Sequence, residues 1–478
     1  MISVFKPYPA YKGSAIPWLG DMPEHWEIRR GKNLFKCIDM RSSTGEEELL
    51  TVSSEHGIVP RRSTAVTMFK AESYIGYKLC WPKDLVINSL WAWARGLGVS
   101  KYHGIVSSAY GVYRLLPRFE DYQGYIHELV RSNPFQWELQ VRSKGIWISR
   151  LQLTDEAFLD APFPMPPHDE IAFIVRFLDH MDRRIRSYIR AKQRRVTLLE
   201  EQKQAIIHHA VTRGLDPNVP LKPSGVEWLG DVPEHWKVVP VKQCAEVISK
   251  GTTPSTEGYE ILDSGPVRFL KAENISGGTI SNKPLCFIDE RTNLALRRSQ
   301  LRECDVLFVI AGATLGKTAI VNNALLPANT NQAVAFIRPN KRVISEYLAL
   351  WLQSPRVKEL TWLNAVQSAQ PNLSMADLGN FVLSLPPTVE QKNALCWLES
   401  ILRGANTMIE NTYRGTLLLN EYRARLISDV VTGKLDVRGI DLPTANDAEA
   451  PVQFSDLLDS EAVMEDQKLQ EEIPMESD

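Results

Sequence analysis

The stretch KGSAIPWLGDMPEHW at residues 12–26 returns as KPSGVEWLGDVPEHW at residues 222–236, with ten of fifteen positions identical at an offset of 210. A second block repeats further on. PPHDE at 166–170 matches PPTVE at 386–390, now at an offset of 220, and at that offset LLEE at 198–201 matches LLNE at 418–421. The pairs Val211-Thr212 and Leu215-Asp216 match Val431-Thr432 and Leu435-Asp436. A period this long makes the repeat the first thing to explain. The order is block, insert, proline step and long segment, and then all of it again. The inserts, roughly 27–150 and 237–370, show little similarity to each other. Two copies of one scaffold with divergent inserts suit a protein that makes one kind of contact twice, with a different specificity each time.

After the proline steps the spacing predicts two long helices. Residues 168–212 contain neither Pro nor Gly, and Ile171, Ile174, Leu178, Met181, Ile185, Tyr188, Val196, Leu199 and Ile206 recur at threes and fours. That is a seam of coiled-coil type. Gly214 and Pro217 end it, and 45 residues would span about 67 Å. The partner, 388–432, has its expected seam at Ala394, Leu398, Ile401, Ala405, Met408, Leu419, Tyr422 and Leu426, with Gly404 and Gly415 interrupting. The two seams are expected to bury each other. Away from its seam the first helix carries Arg183, Arg184, Arg186, Arg190, Lys192, Arg194 and Arg195, which form either a solvated face or one facing a partner protein or DNA. The inserts read as compact α+β domains. Strand-like runs at 78–88 and 304–311 each lead into a glycine turn and a further strand at 110–116 or 333–338, and helices follow near 123–131 and 345–353. The segments are then 1–165, 166–214, 215–385, 386–438 and a tail, 439–478.

With 44% hydrophobic and 23% charged residues the composition is that of a soluble globular protein. No apolar run approaches the roughly 18 residues of a membrane helix, and residues 1–15 lack a signal-peptide core; a cytoplasmic location is expected. The net charge of −2 conceals an asymmetry: residues 441–478 hold twelve acidic residues and one Lys, leaving 54 basic against 45 acidic in 1–440. The mildly basic body is compatible with phosphate contact, and the acidic tail reads as disordered. Cys37, Cys80, Cys244, Cys286, Cys304 and Cys396 form no CxxC pair and are expected as buried free thiols, with no disulfide framework or zinc site.

Catalytic motifs are missing. GATLGKT at 312–318 has three residues between its glycines where a phosphate loop needs four, so a hairpin turn is expected. Asn133-Pro134-Phe135 lacks the second proline of an amino-methyltransferase motif, and His208-His209 has no further ligands at metal spacing. No HExxH or GxSxG occurs. The chain reads as a binder, not an enzyme.

These features together resemble the specificity subunits of type I restriction-modification systems. The resemblance runs over about residues 11–438. It rests on WLGDxPEHW at 18–26 and 228–236, on DVLF at 305–308, the glycine turn at 312–317 and NQA at 331–333, and on QPNLS at 370–374, LPP at 385–387 and EQ at 390–391. The first half departs from the pattern: DLVINS at 84–89 stands for the strand, SSAY at 107–110 for NQA, and GIWI at 145–148 for the glutamine-rich stretch. The resemblance implies an α+β fold with two globular target-recognition domains separated by two long antiparallel coiled-coil helices in an internal pseudo-two-fold repeat. It implies that each domain reads one half of a bipartite site in double-stranded DNA while the helices set the spacing. Two methyltransferase subunits would dock on the helices, and translocase-nuclease subunits would complete the restriction system of a prokaryotic cell. The chain itself would hold no cofactor or metal; S-adenosylmethionine, ATP and Mg would sit on partner subunits. Bases are read by Arg or Lys at guanine and Asn or Gln at adenine. The candidate readers are therefore Arg61, Arg62, Arg95, Lys101, Tyr102, Arg142 and Lys144 in the first insert, and Lys250, Thr252, Lys271, Asn274, Lys317 and Gln370 in the second. The competing readings are a coiled-coil scaffold that binds no DNA and a single-chain restriction-methylation enzyme with degenerate motifs.

Overall fold

Pro166 and Pro167 close one strand and open a helix that runs without a break over His168–Arg213, and the second proline step opens another over Thr388–Val431. In the computed structural model the described residues are 6–54, 56–63, 73–145, 151–365, 371–440 and 442. The chain divides into two units, residues 1–189 with 416–478 and residues 190–415. The division falls inside both long helices, so each unit contains part of each.

In the first unit, strands β1 (Phe35–Cys37), β2 (Leu85–Asn88), β3 (Leu97–Val99) and β4 (Tyr110–Leu115) form an antiparallel sheet in the order β1-β4-β2-β3. The run at 78–88 is split, because Lys83 takes a positive φ in the turn between Lys78–Cys80 and β2. Helix α1 (Gln123–Arg131) buries Tyr125, Ile126, Leu129 and Val130. Helix α2 (Asn133–Arg142) starts with Pro134 in its first turn, where a missing N–H costs nothing. The long helix α3 (His168–Arg213) begins in this unit.

The second unit repeats the plan. Strands β5 (Ala245–Lys250), β6 (Val306–Val309), β7 (Thr318–Ile320) and β8 (Val334–Pro339) lie in the order β5-β8-β6-β7. Helices α4 (Ser345–Leu352) and α5 (Pro355–Asn364) follow, then the long helix α6 (Thr388–Val431). Val306, Phe308 and Ile310 enter one core cluster and Leu307 and Val309 another, so β6 is covered on both faces and reads as a continuous apolar run. The two inserts, unlike in sequence, thus hold one sheet. They also hold one ion pair. The carboxylate before β2, Asp84, takes both arms of Arg114 from β4 at 2.7 and 2.8 Å. Asp305, before β6, takes both arms of Arg338 from β8 at 2.8 Å each.

The repeated blocks act as clasps. In the first unit His25 and Trp26 reach Glu170 in the first turn of α3, at 2.8 and 3.3 Å. In the second, His235 and Trp236 reach Glu390 in the first turn of α6, at 2.8 and 2.9 Å. Each tryptophan also backs the end of the other long helix. A Cβ on Gly433 would meet Pro23 and Trp26, and one on Gly214 would meet Trp236, and both glycines have positive φ. Tyr125 donates its hydroxyl to the carbonyl of Val431, as Tyr347 does to that of Val211. Each block therefore ties the start of one helix to the finish of the other, which makes the pair antiparallel within each unit.

The seam of α3 is buried at Ile171, Ile174, Leu178, Ile185 and Val196. The seam of α6 needs correction. Ile401, Met408 and Tyr422 are exposed, whereas Leu398, Ile409, Thr412 and Leu426 are buried and Leu402 packs against the core. Adjacent apolar pairs at 401–402 and 408–409 make the sequence phase ambiguous by one residue, and packing selects the second of each. The thiols also differ from expectation: Cys80 and Cys244 are buried, but Cys304 and Cys396 are exposed.

Candidate nucleic-acid interface

In the second unit the sheet register gathers several sequence-predicted readers at one end. Strand β6 finishes and β8 starts there, since Val309 pairs with Val334, and Lys250 at the finish of β5 pairs with Ala335. The chain then turns sharply. Gly251 lies so close to the Thr330 carbonyl that a Cβ would sit 2.0 Å from it, and Thr252 donates its N–H to the same oxygen at 3.1 Å. Thr253 hydrogen bonds Gln332, and Asn331 donates its N–H to Leu270, which brings in Lys271. The β6–β7 hairpin adds Lys317, whose carbonyl accepts from Val309. The loop after α5 closes the edge: Gly312 N–H donates to Pro371 and Leu373 N–H to Ile310. Lys250 and Lys317 are exposed, and Thr252 and Lys271 half-buried. This edge offers cations for phosphate and amide or hydroxyl groups for base edges. Gln370 lies outside the described residues.

Asn274 does not join it. Its side chain is fully buried, accepting from Lys271 N–H and donating to the carbonyls of Ser281 and Pro284 at 3.0 and 2.8 Å. An amide so committed holds the turn after Val267–Leu270 and has nothing left for a base.

The same end of the first unit's sheet is differently furnished. Leu153 N–H donates to Ser89, Ser89 Oγ to Ala109, and Lys144 exchanges both backbone bonds with Gln152. The β2–β3 hairpin carries Arg95, which takes a positive φ of 62° and hydrogen bonds Asn133 at the start of α2. Burial, then the charge of Arg423, lowers the proton affinity of that guanidinium. Arg131 holds the hairpin from beneath, donating to the carbonyls of Leu97 at 2.7 Å and Ser54 at 2.8 Å; desolvation brings it down to about 10. Burial raises the Tyr110 hydroxyl, and the charge of Arg61 opposes that shift. Its neighbour Arg62 is 82% exposed and pairs with Glu48.

Three of the predicted residues fall elsewhere in this unit. Lys101 and Tyr102 follow β3, beside Asp84 and the start of β2, at the opposite end of the sheet. Arg142 is folded inward onto Glu138 at 2.6 Å and Asp160 at 3.4 Å; it joins α2 to the segment before the long helix. Sequence reading passed over Leu90, Trp91 and Trp137, all exposed at or near the hairpin. The signal was present as LWAWARG at 90–96, an aromatic run in a turn where polar residues are usual.

The motifs set aside above also find their places. GATLGKT forms the β6–β7 hairpin, with a strand and no helix after it. Asn133 and Pro134 open α2, with Phe135 buried behind them. His208 is half-buried on α3, and among the described residues no group of three or more His, Cys, Asp or Glu could hold a metal. On α3, Arg183 and Arg184 in the first unit and Arg190 and Arg194 in the second are exposed.

Residues 233–414 match the family model described as the type I restriction modification DNA specificity domain. Over that segment the chain is similar to the type I specificity subunits. It is 24% identical over 298 residues to the EcoBI specificity subunit of Escherichia coli, covering 59% of this chain and 60% of that protein. It is 23% identical over 306 residues to the MjaVIII specificity subunit of Methanocaldococcus jannaschii, covering 63% and 68%. The match thus spans about 60% of the first type I subunit's length. A solved chain, described with the complex assembly and conformational transition of a type I system, superposes with a TM-score of 0.63 at 17% identity, over 87% of this chain and 99% of the other. That likeness establishes the doubled α+β fold. Among the described residues no helix is long and apolar enough to cross a membrane.

Proposed function

We propose that this chain is the non-catalytic DNA-specificity subunit of a type I restriction-modification complex, each unit reading one half of a bipartite duplex site. The observation that carries this reading is one sheet built twice, with the same pairing of a buried Asp to an Arg and two different edges. One edge bears Lys250, Thr252, Lys271, Lys317 and Gln332; the other bears Arg95, Lys144 and exposed tryptophan. A shared frame with dissimilar readers is what recognition of two unlike half-sites requires. On this reading α3 and α6 set the spacing between half-sites and dock two methyltransferase subunits, and translocase-nuclease subunits complete the system. Adenine methylation, ATP-driven translocation and cleavage belong to those partners, which bring S-adenosylmethionine, ATP and Mg. The setting is the cytoplasm of a prokaryotic cell.

The test is the adenine methylation pattern of a host expressing this chain with its neighbouring methyltransferase, against the same host with residues 27–150 replaced by the insert of another subunit. The expected result is a split motif in which one half alone changes. A continuous motif, or methylation indifferent to this chain, would sink the reading.

A further inference from the structure

The two clasps are built alike but filled differently. In the first unit Tyr8, 3% exposed, packs its ring 5.9 Å from Trp26 and 5.6 Å from His25, donates its hydroxyl to Glu170, and lies under the Arg438 guanidinium at 5.0 Å. The register fixes its counterpart. Tyr11 pairs with Pro23 as Leu221 pairs with Pro233, and Glu24 N–H donates to Ala10 as Glu234 N–H donates to Pro220. The residue matching Tyr8 is therefore Asn218, which is exposed and bonds through its N–H to Asp216. Where the phenol ring would lie, the second unit has a cavity of about 230 Å³ lined by Val219, His235, Trp236, Tyr347, Glu390 and Ala394. Ala394 stands where Ile174 stands in the first unit, and this widens the space. The glutamates register the difference: Glu170 is 2% exposed, whereas Glu390 is 41% exposed although it keeps its bonds to His235 and Trp236.

We propose that this cavity receives a tyrosine side chain carried by a partner polypeptide, its ring against Trp236 and its hydroxyl donated to Glu390. The first unit shows the chemistry of the occupant and how it arrives. Tyr8 comes in on an extended arm, with Lys6 bridged to Asp436, so a polypeptide strand is the natural carrier. An aromatic ring stacked edge-on to tryptophan, with its hydroxyl on a carboxylate, gains both apolar burial and a charge-assisted hydrogen bond. The site lies at the helix ends, away from the candidate DNA edge of this unit. Only the choice of a methyltransferase subunit as the partner to test rests on the function proposed above.

The full chain is titrated with p-cresol and with 4-methylanisole, which has the same ring but no hydroxyl to donate. The expected result is p-cresol binding about tenfold tighter, the worth of one hydrogen bond to a charged acceptor. Asn218→Tyr should fill the cavity from within and abolish that binding. Ala394→Ile, which restores the counterpart's residue, fills it from the opposite wall should Asn218→Tyr misfold. Each folded variant should also weaken assembly with the co-expressed methyltransferase subunit at least about tenfold, while duplex affinity stays unchanged. Equal binding of the two probes, or p-cresol binding that survives a filled cavity, overturns the site. Binding of p-cresol together with unchanged assembly overturns the polypeptide occupant and leaves a small-phenol site. Loss of the split methylation motif with the cavity results intact would count against the function alone.

Discussion

His127 accepts the Val99 N–H at Nδ1, 3.1 Å away, so its neutral form is the one that fits. Burial, then the charges of Arg131 and Lys101, lowers it to about 4 from the usual 6.5. The unfolded chain therefore takes up this proton at a higher pH than the folded one. The stabilisation is complete above about pH 6.5 and is lost as the pH falls to about 4, a difference of roughly 3 kcal/mol. Urea unfolding at pH 7 and pH 4.5 should show the native chain losing more stability than His127→Gln, which keeps an acceptor but does not titrate; equal losses would refute the assignment. The paired carboxylates offer a second comparison. Removing Asp305 strands Arg338, whose side chain is 15% exposed, whereas removing Asp84 strands Arg114, which is 45% exposed and can hydrate. Asp305→Ala is expected to cost about 3–5 kcal/mol and Asp84→Ala clearly less, read as the shift in the denaturant midpoint of each unit.

At the scale of elements the long helices were the most legible part of the sequence, because 45 residues without proline at three-four spacing admit one reading. Their phase was less so. Where two apolar residues adjoin, periodicity cannot say which faces in, and α6 resolves to Leu402 and Ile409. Ile409→Ala should cost about 2–4 kcal/mol, while Met408→Ala, at a side chain 48% exposed, should cost less than about 1 kcal/mol; thermal unfolding separates the two. Gly404 has open space around a would-be Cβ, so Gly404→Ala should stabilise α6 by roughly 1 kcal/mol. The repeated sheet was hidden for a different reason. Its identity lies in a buried carboxylate before one strand and an arginine on another, 30 residues apart in the first unit and 33 in the second, a pairing no local pattern reveals. The candidate readers sorted by the same logic. Composition suggested Asn274 and Arg142 as well as Lys250 and Lys317, but only the register tells a buried turn amide or an ion-paired helix terminus from a residue on the open sheet end.

For the whole molecule, the proposed function demands that charge be used locally and not as a diffuse attraction. Residues 1–440 are net basic by nine charges, enough for non-specific adhesion to duplex without any reading. The two possibilities differ in salt dependence and in symmetry. If Lys250, Lys271 and Lys317 each neutralise a phosphate of one half-site, their combined change to Gln should lower the slope of log affinity against log salt by about 3. Recognition of the first unit's half-site should persist. A diffuse field would instead lose affinity by the same amount when three exposed basic residues are removed from anywhere, such as Arg183, Arg184 and Arg194 on the long helix. Fluorescence anisotropy on a cognate duplex across a salt series distinguishes the two. A slope lowered equally by both sets of substitutions would refute the assignment of the sheet edge as the DNA-contacting surface, and a slope lowered by the sheet-edge set alone would place the phosphates there.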